Sequence, residues 1–255
     1  MRDPLALADR VKAGDVRSVA RLITLLEDQD PEGTAALRLL TSMPRPATVI
    51  GVTGYPGAGK STLIDQLVTA YRRLEMKVGV LAVDISSHVT GGALLGDRIR
   101  MQEHSQDQGV YIRSMATRGH HGGLAQATGN AVLVLEAAGY EVVLIETIGV
   151  GQNEVDVMDV AHTVLAVVAP GLGDEVQAMK AGLLETAHIV VVNKGDLPGA
   201  DSTLRDLRDW YPTVLRTVAT TGEGMPDVLA AIAEHQRLHD LPGPSARLER
   251  KGAGF

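Results

Sequence analysis

Apolar residues gather into short runs at 48–52, 78–83, 142–145, 164–168 and 189–192, with weaker runs at 110–113 and 214–218. The runs are dominated by Val, Ile and Leu, the pattern of strands buried on both faces of a parallel sheet. Between most of them the apolar positions recur at three- and four-residue steps. That period predicts helices over 124–138, 175–185, 203–210 and 225–238, and another through Leu63, Leu67, Ala70, Tyr71 and Leu74. The alternation predicts an α/β domain, a mostly parallel sheet with helices on both faces. In such sheets ligands bind beyond the carboxyl ends of the strands. Polar residues directly after each run are therefore the candidates for chemistry.

The first 44 residues read differently. Val16, Val19, Ala20, Ile23 and Leu26 form one helical stripe, with Asp15 placed to cap it after Gly14, and a second helix is predicted over 32–40. Pro44 and Pro46 close this short N-terminal helical extension (1–44) ahead of a main domain at 45–240 and a tail at 241–255. Such a stripe serves either packing against the main domain or docking of a partner.

Residues Gly54-Tyr55-Pro56-Gly57-Ala58-Gly59-Lys60-Ser61, followed by Thr62, lie between the first run and the first helix of the main domain. This is a phosphate-binding P-loop. Backbone N–H groups cradle the phosphates, Lys60 opposes their charge, and Ser61 offers a hydroxyl to Mg²⁺. The pattern arises by chance in about one chain in a hundred of this length. A plain strand-to-helix turn would need neither Lys60 nor Ser61.

Asn193-Lys194-Gly195-Asp196 directly follows the run at 189–192. A carboxylate at Asp196 can accept from both N1–H and the 2-amino group of guanine, donors that adenine lacks. Asn193 can bond the base's other polar edge, and the Lys194 stem can cover its face. Thr217-Val218-Ala219-Thr220 follows the next run, where guanine-binding proteins supply a backbone N–H, here from Val218 or Ala219, to the base oxygen. The expected ligand is GTP/GDP with Mg²⁺. Glu146-Thr147-Ile148-Gly149 ends the run at 142–145, so Glu146 can hold the Mg²⁺ hydration shell while the Gly149 N–H senses the γ-phosphate. Asp84 ends the run at 78–83 and is either another metal-side carboxylate or a turn cap. Val150 stands where many regulatory GTPases carry a water-orienting Gln, which predicts slow intrinsic hydrolysis, on the order of 10⁻⁴ to 10⁻² s⁻¹.

Composition narrows the picture. The chain has 255 residues, 45% of them hydrophobic, but only one Phe, one Trp and five Tyr, so the core must be aliphatic. A formal charge of −7 without a Lys/Arg run argues against nucleic acid as partner, and the absence of cysteine rules out disulfides and thiolate metal sites. The charged N-terminus does not read as a signal peptide, and no apolar stretch is long enough to span a membrane; a cytoplasmic protein is expected.

Further segments carry a resemblance to a known family. They are Ala13-Gly14-Asp15 with Leu22-Ile23-Thr24-Leu25-Leu26-Glu27, Val83-Asp84-Ile85-Ser86-Ser87, and Thr90 through Gly96-Asp97-Arg98. Arg113-Ser114-Met115-Ala116-Thr117-Arg118-Gly119, Glu146 through Gln152-Asn153-Glu154, and Pro170-Gly171-Leu172-Gly173-Asp174-Glu175 continue it. Over about residues 10–240 the chain resembles the MeaB/ArgK/MMAA proteins, GTPase chaperones of adenosylcobalamin-dependent acyl-CoA mutases. The resemblance implies a SIMIBI-type P-loop GTPase fold and a role in gating cobalamin delivery to such a mutase and in protecting or reactivating it. It further implies a first switch at 84–98, with Asp84 and Asp97 as metal or catalytic carboxylates beside Lys60 and Glu146. A second switch at 147–156 includes Gln152. A third at 170–182 has Asp174, Gln177 and Lys180 relaying nucleotide state to the mutase.

The chain departs from the family pattern at Ile85, at His88-Val89, at His121 and at Val218. Family members dimerise through a long C-terminal helical arm; residues 241–255 read instead as a flexible tail, which weakens the case for a homodimer. Two other readings remain at this level. His120-His121 would suit a nickel-type metal-insertion GTPase, although a loop pair explains it as well. A P-loop kinase would share residues 54–61 but has no use for Asp196.

Overall fold

The computed structural model describes residues 3–40, 46–84, 104, 106–116, 123–147, 159–171 and 186–241. Seven parallel strands form one sheet: β1 (Thr48–Gly54), β2 (Val78–Asp84), β3 (Val110–Ala116), β4 (Val142–Thr147), β5 (Thr163–Val168), β6 (Ile189–Val192) and β7 (Val214–Arg216). Their spatial order is β3-β2-β4-β1-β5-β6-β7. Every residue of β1, β4, β5 and β6 is buried, as expected of mainly aliphatic strands covered on both faces. The strands match the predicted runs and extend several of them by one to three residues; the last ends earlier, at Arg216.

Alternate residues of each strand serve opposite layers. Ile50, Val52, Val80, Leu144, Leu165 and Val191 pack with α4 (Lys60–Arg73) and α7 (Met225–Leu238). Val49, Leu81, Met115, Val143 and Ile145 face the other way, towards α5 (Gly123–Ala137) and the N-terminal helices. On that same side α6 (Ala200–Arg208) covers the β6–β7 edge through Leu204 and Leu207. The predicted helix at 175–185 lies outside the described residues.

The N-terminal region holds three helices rather than a pair: α1 (Pro4–Lys12), α2 (Val16–Glu27) and α3 (Pro31–Leu40). The additional one starts where Asp3 accepts from Leu5 N–H and Pro4 occupies the first turn, a start signal too short to show as a period. Asp15 caps α2 as expected, accepting from Ser18 N–H at 2.6 Å. Leu7, Val11, Leu22, Ile23 and Leu26 enter the same core as the sheet. Arg113 on β3 adds a polar fastening: its guanidinium donates to Ala20 O at 3.2 Å and Thr24 Oγ1 at 3.0 Å, and pairs with Glu27. Among the described residues, no helix is long and apolar enough to cross a membrane.

Candidate functional site

The carboxyl ends of β1, β4, β6 and β7 bring the predicted motifs together. The phosphate loop leaves β1 at Gly54 and enters α4 at Lys60. Ala58 is buried, whereas Pro56 and Gly57 are exposed and Tyr55 and Thr62 are half-buried. Gly59 caps α4 in the left-handed region (φ 96°), and a Cβ there would stand 2.2 Å from Asn193 Nδ2. Backbone and space both demand glycine. The loop thus delivers the first N–H groups and positive dipole end of α4 to one point, a ready anion site.

Lys60 is 7% exposed, and its ammonium donates to Gly54 O at 2.7 Å and Tyr55 O at 3.1 Å. Its charge is held within the loop rather than extended into solvent. Ser61 Oγ donates to Glu146 Oε1 at 2.6 Å. Glu146 lies on β4 opposite Val52 of β1 and Ala82 of β2, and is 7% exposed. Beneath this pair Thr147 Oγ1 donates to Thr53 Oγ1 at 3.1 Å, a buried bond locking β4 to β1. A hydroxyl and a carboxylate side by side at the start of the phosphate helix are hard oxygen donors, the chemistry that Mg²⁺ requires.

The outer side of α4 is fastened to the segment before β3. Arg72 holds Asp107 through Nε at 2.8 Å and Nη2 at 3.0 Å, which keeps the Asp107 carboxyl below its usual range. His104 Nε2 lies 3.2 Å from Asp65 Oδ1. These contacts fix the helix that presents Lys60 and Ser61.

Asn193 joins the two halves of the site. Its Nδ2 donates to Ala58 O at 2.9 Å, while Oδ1 accepts from Thr217 Oγ1 at 3.1 Å and Ala219 N–H at 3.0 Å. The Ala219 N–H expected at the base oxygen is thus engaged by Asn193, and Val218 N–H donates to Glu223 O at 3.0 Å. Lys194 is exposed in the left-handed region (φ 56°), and Asp196 is exposed at the rim. Gly195 is buried: its N–H donates to Thr217 O at 2.8 Å, and Arg216 donates to its carbonyl. The strap of Arg216 over Gly195 was not legible in sequence; the only signal is a glycine inside the tetrapeptide.

Asp84 stands at the end of β2, with its side chain outside the described residues. Asp97, Gly149, Gln152, Asp174, Gln177 and Lys180, together with His120 and His121, also lie outside them. Among the described residues no group of three or more His, Asp or Glu could hold a metal ion.

Comparison with known proteins agrees with this architecture. Residues 19–253 match the family described as methylmalonyl Co-A mutase-associated GTPase MeaB. A Pyrococcus horikoshii protein provisionally named a GTPase is 48% identical over 257 residues, spanning 96% of this chain and 81% of the relative. The GTPase ArgK of Escherichia coli is 36% identical over 243 residues (88% and 73%). The mitochondrial methylmalonic aciduria type A homolog of Mus musculus is 39% identical over 201 residues (73% and 48%). The crystal structure of a LAO/AO transport system kinase superposes with a TM-score of 0.69 at 27% identity, covering 98% of this chain and 77% of that one. The hydrogenase maturation factor HypB from Archaeoglobus fulgidus gives 0.56 at 18% identity (84% and 96%), a likeness of fold alone.

Proposed function

Because this chain belongs to the family of methylmalonyl-CoA mutase-associated GTPases, we propose that it is a GTP-hydrolysing chaperone of an adenosylcobalamin-dependent acyl-CoA mutase. It gates delivery of the cobalamin cofactor and protects or reactivates the mutase. The observation that carries this reading is the family match, which runs from α2 through the whole sheet on a chain that also has the Ser61–Glu146 pair beside its phosphate loop.

In this reading backbone N–H groups of the glycine-rich loop, among them those of Gly57 and Gly59, together with Lys60 and the start of α4, bind the phosphates. Ser61 and Glu146 would hold Mg²⁺ or its hydration shell, with Asp84 and Asp97 as further carboxylates. An ion held there would supply positive charge against the phosphates. Gly149 senses the γ-phosphate. Gln152, Asp174, Gln177 and Lys180 pass the nucleotide state to the mutase, so hydrolysis becomes a docking signal. Asp196 reads the guanine edge and Lys194 covers its face. Asn193 contributes by holding Ala58 and Ala219 in one frame.

The test is turnover of GTP, with ATP as control, in the presence and absence of an adenosylcobalamin-dependent mutase such as methylmalonyl-CoA mutase. Slow GTP-only hydrolysis that accelerates with the mutase is expected, together with cofactor transfer that depends on the nucleotide. A mutase that leaves both turnover and cofactor transfer unchanged would sink the proposal.

A further inference from the structure

The turn that carries Asp196 is held from both sides at Gly195. The Gly195 N–H donates to Thr217 O at 2.8 Å, and the Gly195 carbonyl accepts from Arg216 Nη2. Arg216 is the last residue of β7, so its stem runs across the turn from the neighbouring strand. Its other terminal nitrogen, Nη1, reaches Asp201 Oδ1 in the first turn of α6 at 3.3 Å. One guanidinium therefore spans β7, the Asn193–Asp196 turn and α6.

The contact also decides the residue at 195. An added Cβ would lie 2.6 Å from both Cγ and Nε of Arg216 and 3.1 Å from its Cδ, and these are its three nearest atoms. The glycine is there to let an arginine pass. No left-handed backbone is needed at this position; that strain sits on Lys194 (φ 56°). A left-handed non-glycine residue persists only where its surroundings hold it, and the two bonds at Gly195 supply that hold immediately before Asp196.

Arg216 is 44% exposed and Asp201 82% exposed. An ion pair so open to water contributes little to stability. The hydrogen bond to the Gly195 carbonyl has a different consequence, because it sets where the turn sits. Discrimination by a directional polar contact is lost when the group is misplaced by about an ångström.

We infer that Arg216, acting through Gly195, is a positioning residue for base selection: it holds Asp196 where its carboxylate meets the 2-amino group of a guanine nucleotide. The inference rests on the reading of Asp196 as the base-recognising carboxylate. Arg216 does not touch the base.

The experiment compares dissociation constants of GTP and ITP, which lacks the 2-amino group, for the full chain and for Arg216→Ala, Gly195→Ala and the double variant. Arg216→Ala lowers the preference for GTP over ITP about five- to tenfold; ITP, which keeps only the N1–H contact, loses less affinity than GTP, and the thermal midpoint stays close to the parent. Gly195→Ala produces the same loss by pushing the arginine stem aside. It adds nothing in the Arg216→Ala background, where the obstructing atoms are gone. An unchanged GTP/ITP ratio in Arg216→Ala, or an equal loss of affinity for both nucleotides, overturns the inference. Asp196→Asn tests the underlying reading separately: a switch of preference towards XTP upholds it, and no switch removes both.

Discussion

Replacing Asn193 with alanine should uncouple the phosphate loop from the base-side loop, at a cost the structure allows to be worked out. Asn193 is 3% exposed and makes three hydrogen bonds, to Ala58 O, Thr217 Oγ1 and Ala219 N–H, all at buried residues. At about 1 kcal/mol net per bond the loss is about 3 kcal/mol, and more where water cannot reach the stranded groups. A chain of this size shifts its melting midpoint by about 2–4 °C per kcal/mol, so a fall of about 10 °C is expected. Differential scanning calorimetry of the nucleotide-free protein reads it directly. Removing the Thr217 hydroxyl as well, in Asn193→Ala/Thr217→Val, should cost less than the sum of the single changes, since the two side chains share a bond. Affinity for GDP should fall in parallel, because Ala58 and Gly59 lose the contact that sets the loop. A midpoint within 2 °C of the parent, or strict additivity of the pair, would refute the reasoning.

Arg113→Ala takes the guanidinium from the largely buried Glu27 and from Ala20 O and Thr24. The expected loss is about 3 kcal/mol, with denaturant unfolding as the assay and partial recovery in Arg113→Ala/Glu27→Gln. Gln236→Met should raise stability by about 1–2 kcal/mol, because both polar atoms of this 1%-exposed amide lack hydrogen-bond partners among the described residues; an unchanged or lowered midpoint would contradict it. Acid should destabilise the protein through its histidines. Burial, with His188 and His239 beside it, lowers the His235 pKa to about 4, and burial also lowers His188 and His162. The unfolded chain then binds protons that the folded one refuses, so stability present above about pH 6.5 is lost as pH falls towards 4. His235→Gln, which cannot titrate opposite Thr163, should flatten a melting-midpoint profile over that window.

Much of the architecture was legible in the residues. The runs at 142–145 and 189–192 had to be strands inside the sheet, because unbroken Val/Ile/Leu sequence has no polar face to offer water, and the run at 48–52, with only Thr48 and Gly51 besides Val and Ile, reads the same way. The phosphate loop was equally plain, since its function depends on a local order of glycines, lysine and serine that one short segment carries by itself. The first helix was not legible: its nine residues present too few turns to establish a period, and its apolar positions matter only because α2 and α3 lie beside them.

Sequence by itself determined the strand segments, the helix faces and the type of ligand chemistry, because these follow from side-chain period and from motifs closed within a few residues. Only the tertiary structure decided the strand order, the seating of the N-terminal helices on the sheet and the partnership of Ser61 with Glu146. The same holds for Asn193 with Ala58 and for Arg216 with Gly195. These pairs are separated by 85, 135 and 21 positions along the chain. Nothing local in a sequence encodes which distant strand ends become neighbours; burial of both sheet faces does, and it is satisfied only when the whole chain has folded.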